Sequence, residues 1–359
     1  MRRSFFLVFF LSLVSLVMYL ACRFVYLFFE TGFSLSPQYR FFSVFVLWVW
    51  IMAYVPSEIL CREKGIVWVK KVAANSLGLL SISVVTSCIG FLLFTVLSPT
   101  PVLTSGVAVV TLALAVLARR NANCTDVKLV SIPLEKGSSE KRLKIVQISD
   151  IHLNGLQSVA WVSRMVNQVN ALKPDVIVLT GDLLDISPKF VVEHLSILAQ
   201  LSATAKLAVS GNHDFYMGYG HYEEALRRIG FQNLDNKKVR VQSVQFIGIP
   251  DSQSTQFSGE SSQLSSLLNR CDRTQPIVLL NHRPDGFPQA ANQGVTLQLS
   301  GHTHAGQLPP WDILVRLRYR YAYGLSRYKA SYIYTTKGTG TWGPPMRLYR
   351  PSEIVCLTI

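Results

Sequence analysis

The chain has 359 residues, 49% of them hydrophobic and 16% charged, with a formal net charge of +14. Ordinary soluble domains are roughly one-quarter charged, so disorder, collagen and coiled coil are excluded as descriptions of the whole. Six cysteines with no Cys-x-x-Cys pair exclude a disulfide scaffold and argue against a structural zinc knuckle.

The averages conceal a split. Residues 1–120 hold ten Lys+Arg and only three Asp+Glu, whereas the remaining residues hold 25 and 18 and look like a soluble domain. Four apolar runs occupy the first third, at 5–29, 41–55, 76–97 and 102–118. A membrane-spanning helix needs about 20 apolar residues, and the h-region of a signal peptide only about 7–15. The first run is therefore expected to be a retained helix rather than a cleaved signal. The second is short, and three spans replace four if it fails to cross. Ser98-Pro99-Thr100-Pro101 separates the last two runs and predicts a helical hairpin. With four spans, Arg2, Arg3, Arg62, Lys64, Lys70, Lys71, Arg119 and Arg120 fall on one side of the membrane. That bias predicts a multi-pass protein with both termini and the C-terminal domain in the cytoplasm. Residues 121–142 are expected to be a linker, and 143–359 a separate domain.

Beyond the linker the pattern becomes that of an α/β domain. Strands are predicted at Leu143–Ser149, Asp175–Thr180, Lys206–Ser210, Val244–Ile249, Ile277–Leu280, Thr296–Ser300, Tyr332–Thr336 and Ile354–Thr358. Helices are predicted at Val159–Leu172, Phe190–Leu201 and Tyr222–Ile229. Five polar clusters each directly follow a strand, where α/β folds place their sites. They are Ser149-Asp150-Ile151-His152, Thr180-Gly181-Asp182, Gly211-Asn212-His213-Asp214, Asn281-His282-Arg283-Pro284 and Gly301-His302-Thr303-His304, and they hold five of the seven histidines. Carboxylate oxygen and imidazole nitrogen together suit Mn, Fe or Zn. In extended backbone, residues i and i+2 point one way, so Asp150 and His152 are expected to grip one ion together. By the same rule His302 and His304 reach two adjacent ions. A pair of ions a few ångströms apart is a phosphoryl-transfer device.

The ordered set D-x-H, G-D, G-N-H-D, H-x-P and G-H-x-H resembles the calcineurin-like metallophosphoesterase superfamily, from about Lys144 to the C-terminus. Gly-Asn-His-Asp-Phe-Tyr and Ser-Gly-His-Thr-His-Ala-Gly-Gln look most similar to its membrane-associated branch, the transmembrane proteins with a metallophosphoesterase domain. The resemblance implies a two-sheet α/β/β/α sandwich, preceded here by an all-α transmembrane bundle. It implies two divalent metal ions (Mn, Fe, Zn or Mg) and hydrolysis of a phosphate ester by a di-metal-activated water. Asp150, His152 and His304 would bind the first metal, Asp182 would bridge, and Asn212, His282 and His302 would bind the second. Asn212 would also contact substrate. His213 would be the general acid, oriented by Asp214. Lys337-Gly338-Thr339-Gly340 followed by Arg347 resembles the family's late glycine turn, which would put Arg347 near the phosphate. Ala305 and Asn154 depart from the family's more usual glycines.

Residues 313–352 carry eight Lys and Arg and no acid. If Arg316–Tyr321 is extended, its three arginines face one way, toward an anionic membrane surface or a substrate head group. A lipid-linked or membrane-near phosphate is the expected partner. Nucleic acid ranks lower, because no recognised binding module accompanies the arginines. The rival expectation is a catalytically silent metal-binding scaffold at a membrane.

Overall fold

The computed structural model describes residues 64–94, 96–97, 100–134, 142–251 and 259–359, with scattered positions before them. The expected spans at 5–29 and 41–55 lie outside the described residues, as does most of the second half of the expected linker.

Two apolar helices come first: α1 (Val67–Phe94) and α2 (Pro101–Asn123), each long and apolar enough to cross a membrane. α1 starts nine residues before the expected run, because Lys70 and Lys71 end the apolar stretch without ending the helix. The Thr100 hydroxyl accepts from the Leu103 amide and Pro101 opens α2, a standard N-terminal stop and start. Thr86 and Thr111 hydrogen-bond across the hairpin at 2.7 Å.

The rest of the chain runs β1 (Thr125–Ser131), β2 (Lys144–Ile148), α3 (Val159–Ala171), β3 (Val176–Thr180), α4 (Val192–Leu198), β4 (Ala205–Val209), α5 (Asn212–Tyr216), α6 (Tyr219–Ile229) and β5 (Gln232–Asn233). It continues through β6 (Lys238–Val241), β7 (Val244–Ile249), α7 (Gly259–Leu268), β8 (Ile277–Asn281), α8 (Phe287–Asn292), β9 (Leu297–Ser300), α9 (Trp311–Arg318), β10 (Gly324–Tyr328), β11 (Ser331–Thr335) and β12 (Ser352–Thr358). Two six-stranded mixed sheets result, ordered β1-β12-β2-β3-β4-β5 and β10-β11-β9-β8-β7-β6.

Alternation along the strands builds three apolar layers. Ile145, Val178, Leu207 and Val355 of one sheet meet Phe246, Val278, Leu280 and Leu299 of the other between the sheets. Val146, Ile148, Ile177 and Leu179 face Trp161, Met165, Leu195 and Leu226 on the helices outside the first sheet. Ile247 and Leu279 face Leu267, Leu268 and Ala290 outside the second. This is the α/β/β/α sandwich.

Two expectations are corrected. Thr125–Ser131 is not linker but a strand paired in parallel with β12. Its side chains are mostly exposed, so apolar alternation could not announce it. Trp311–Arg318 is a helix, so Arg316, Arg318 and Arg320 do not share an extended face.

The hairpin sits against the sandwich. Ser81 Oγ donates to the Pro309 carbonyl at 2.6 Å, Asn121 Nδ2 to the Leu348 carbonyl at 2.8 Å, and the Arg347 amide to the Ala118 carbonyl at 2.8 Å. Ile82, Ala115 and Ala118 pack with Leu308 and Met346 between these bonds.

Candidate metal centre

All five clusters converge at the C-terminal ends of the strands of the two sheets. Asp150, His152 and His304 form one group of ligand atoms, and Asp182, His282 and His302 another. In the first, His152 Nε2 lies 3.1 Å from His304 Nε2, which is 3.5 Å from Asp150 Oδ1. In the second, His282 Nε2 lies 3.2 Å from both His302 Nδ1 and Asp182 Oδ2. Asp182 Oδ2 is also 3.6 Å from His152 Nε2, so one carboxylate oxygen faces both groups. Asn212 is buried beside them, and its Oδ1 has no hydrogen-bond partner.

The backbone is bent to reach this arrangement. Asp150, His152, Asp182, His302 and His304 all have positive φ, between 49° and 69°. Non-glycine residues enter that region rarely and at a cost of order 1–3 kcal/mol each, a strain that concentrates at functional sites. The extended backbone expected for Asp150 and His152 is therefore replaced by consecutive tight turns. Gly211 and Gly301 are needed for close approach: a Cβ on either would collide with the carboxylate of Asp182 or Asp150.

The surrounding hydrogen bonds decide which imidazole nitrogens stay free. His282 Nδ1 donates to the Thr180 carbonyl at 2.7 Å, and His152 Nδ1 to Asp185 Oδ1 at 3.0 Å. Each Nε2 thereby faces the centre as the atom a cation would take; without one His282 keeps its proton, since burial opposes the charge but Asp182 lifts its pKa to about 10. His302 Nε2 meets the Tyr319 hydroxyl at 3.0 Å, leaving Nδ1 inward. Burial, then the charges of neighbouring histidines, keep His302 and His304 well below the usual histidine range, as neutral imidazoles. The bonds reaching Asp150 and Asp182 come from backbone amides, imidazoles and Ser149. Imidazole nitrogens converging on buried carboxylates, with an orphaned amide oxygen alongside, form a donor set that fits divalent cations.

His213 stands beside both groups. Its Nδ1 is 2.8 Å from Asp185 Oδ1, the oxygen that also holds His152. Burial disfavours its charged form, but Asp185, with Asp182 and Asp214 behind it, outweighs burial and lifts its pKa to about 9. Asp185 itself is held well below the usual carboxylate range: burial opposes this, and the His152 and His213 charges overcome it.

Two roles expected from the motifs are corrected here. Asp214 does not orient His213. It is fully buried and accepts from the amides of Gly211, Asp182, Leu183 and Leu184, which clamps the two site loops together. Asp185 takes the orienting position instead. Its only sequence signal is its place three residues after Asp182, enough to suggest a loop cap and no more. Arg347 is not at the phosphate. It is 3% exposed and lies behind His304, with its guanidinium donating to the carbonyls of His304 (3.0 Å), Lys337 (2.8 Å) and Gly340 (3.0 Å). Arg347→Met is expected to lower stability by about 1–3 kcal/mol, chiefly from the Lys337 carbonyl left without a donor, because the His304 carbonyl keeps the Gln307 amide, read as a drop in thermal midpoint. Tyr319 and Asp185 are supporting residues that the motifs did not identify.

Residues 143–306 match the family model of the calcineurin-like phosphoesterases. A transmembrane protein with metallophosphoesterase domain from Danio rerio is 34% identical over 267 residues, covering 70% of this chain and 61% of that protein. An uncharacterized metallophosphoesterase of Helicobacter pylori is 31% identical over 235 residues, 65% of this chain and 64% of its own length. The chain thus spans just under two thirds of these two relatives. An uncharacterized metallophosphoesterase of Aquifex aeolicus is 34% identical over 240 residues, covering 65% of this chain and 91% of that protein. By the order of its motifs, its two-sheet sandwich and these similarities, the chain belongs to the calcineurin-like phosphoesterase family.

Proposed function

We propose that the protein is a membrane-anchored phosphoesterase that hydrolyses a phosphate ester with two divalent ions. Asp150, His152 and His304 would hold one ion, Asn212, His282 and His302 the other, and Asp182 both. The observation that carries this reading is the Asp182 carboxylate oxygen facing His152 on one side and His282 on the other. Bound ions would activate water and offset charge on the phosphoryl oxygens.

The chain's own residues supply the rest. His213, with Nδ1 committed to Asp185, is left to donate from Nε2 to the departing ester oxygen. Asp185 holds that ring at the angle required. Tyr216 and Trp342 flank His213, with ring centroids 5.2 and 6.3 Å away, and both are about half exposed. They would form an aromatic wall on the leaving-group side. Arg347 and Tyr319 hold His304 and His302 from behind, so neither histidine needs to reorganise as substrate binds.

The two apolar helices packed against the sandwich support a membrane anchor. The lysine and arginine bias along the first third supports a multi-pass topology with the catalytic domain in the cytoplasm. A site tied to such an anchor would meet lipid-linked phosphates readily, and that is the substrate class we favour.

The test is a titration of metal-stripped full-chain protein with Mn²⁺, followed by turnover of a phosphomonoester and a phosphodiester in ¹⁸O-labelled water. Two bound ions and label appearing in the phosphate product are expected. Label in the alcohol product, or turnover indifferent to metal, would contradict the reading. In the same titration Asp185→Asn is expected to weaken metal binding by roughly 10–100-fold, because it frees the His152 tautomer without removing a ligand.

A further inference from the structure

We propose that α9 is a second membrane contact: a short helix that lies in the head-group layer of an anionic bilayer and turns the metal site toward it. This rests on the reading of the α1–α2 hairpin as a membrane anchor. None of the eight residues of α9, Trp-Asp-Ile-Leu-Val-Arg-Leu-Arg, is buried. Trp311, Ile313 and Leu317 are 48%, 55% and 61% exposed, and among the described residues nothing covers them. Single exposed apolar side chains are ordinary on a surface. Three on a helix that buries none of its residues do not make a core-facing helix. Ile313 and Leu317, four apart, share a face, with the exposed Arg316 beside them. Arg318 and Arg320 follow, and the nearby acids are Asp312 on the helix and Asp285, which Arg318 meets at 3.4 Å. Apolar side chains flanked by exposed arginines are complementary to a lipid surface carrying negative charge.

The depth of the hairpin gives the second argument. The Pro309 carbonyl, two residues before α9, is the group that Ser81 bonds on α1. At the same level Ile82 and Ala115 pack on Leu308 and Met346. Beyond Ser81 α1 continues only to Phe94, about 20 Å of further helix at 1.5 Å per residue. A bilayer's hydrocarbon core is about 30 Å thick. That length of helix is less than the core, so a hairpin inserted by its whole free length brings the level of Ser81, and α9 with it, to the membrane boundary. There the face of Ile313 and Leu317 enters the acyl boundary, and Arg316 beside it extends back to the lipid phosphates.

α9 is also tied to the site at both ends. The turn His304–Gly306 precedes it, and the Trp311 amide donates to the Leu308 carbonyl at 3.0 Å. Tyr319, which follows it directly, meets His302 Nε2 at 3.0 Å. A bilayer that seats α9 therefore seats the His302 side of the site against the head groups.

The test is hydrogen–deuterium exchange of residues 311–318 in full-chain protein, in detergent, in phosphatidylcholine nanodiscs and in nanodiscs containing phosphatidylserine. Exchange several-fold slower in the anionic discs than in detergent is expected. Arg316→Glu combined with Leu317→Ser should abolish that slowing without changing the melting temperature or metal content. Equal exchange in all three settings would overturn the proposal. So would protection already present in detergent, which would mean that protein covers the helix. Failure to enter the discs at all would overturn the anchor and α9 together. None of these readouts depends on turnover, so a catalytically silent chain leaves the proposal for α9 standing and contradicts only the phosphoesterase reading.

Discussion

Asp182→Ala is expected to abolish turnover and to remove both metal ions from the protein as purified. The side chain has two tasks. Its Oδ2 is 3.2 Å from His282 Nε2 and 3.6 Å from His152 Nε2, so its loss takes a donor from both groups at once. Its Oδ1 accepts from the His213 amide at 2.9 Å and holds the start of α5. Burial opposes its ionisation, yet the charge of His282 first, then its hydrogen bond and the charges of His213 and His152, hold it well below the usual carboxylate range. It is therefore an anion at neutral pH. Removing that anion leaves imidazoles facing each other with less negative charge to draw a cation between them. The check is elemental analysis of the purified variant beside its activity. A variant that retains two ions would show that Asp182 does not bridge.

His213→Gln is expected to lower kcat by roughly 10²–10⁴-fold, the usual range for a positioned proton donor, with metal content unchanged. The ring belongs to neither of the two groups proposed to hold the ions; with His152 and Asp185 it forms a third cluster, in which Asp185 holds its proton. The loss should shrink as the leaving group becomes more acidic, because a good leaving group needs no proton. A series of aryl phosphates of decreasing alcohol pKa reads this directly. A loss equal across the series would make His213 a binding residue and not an acid. Asp185→Asn should show the same leaving-group dependence together with weakened metal binding, whereas a merely structural lesion would lower all substrates alike.

Much of the centre was legible in the chain because its chemistry is local. Each cluster pairs a buried apolar strand with a metal-type donor within a few residues, three of the five with a glycine as well, and the strand end brings the donor to a common edge. Asp150, His152, Asp182, His282, His302 and His304 are brought together, and Asn212 is buried with an unpartnered Oδ1. What was not legible depends on contacts between distant segments. Asp185 and Tyr319 act through partners 28 and 17 residues away. Arg347 carries the right charge for a phosphate, but burial behind His304 commits it to carbonyls. Asp214 follows His213 in sequence, yet the first turn of α5 points its carboxylate at backbone amides. Neighbouring positions on a helix do not face each other, so adjacency was a poor guide. Among the elements, β1 escaped because an edge strand needs no apolar face once β12 supplies its hydrogen bonds. The helix α9 escaped because its alternating arginines mimic a strand and its exposed leucine and isoleucine match no soluble pattern.

The most direct test of the central claim is turnover by full-chain protein, stripped of metal and reloaded with Mn²⁺, on a chromogenic phosphomonoester and phosphodiester with Asp182→Ala alongside. The account predicts hydrolysis of at least one ester by the wild type that disappears without metal and in the variant. A folded protein that binds two ions and hydrolyses neither ester, nor a phospholipid presented in the same membrane, would contradict it and leave a metal-bound scaffold in its place.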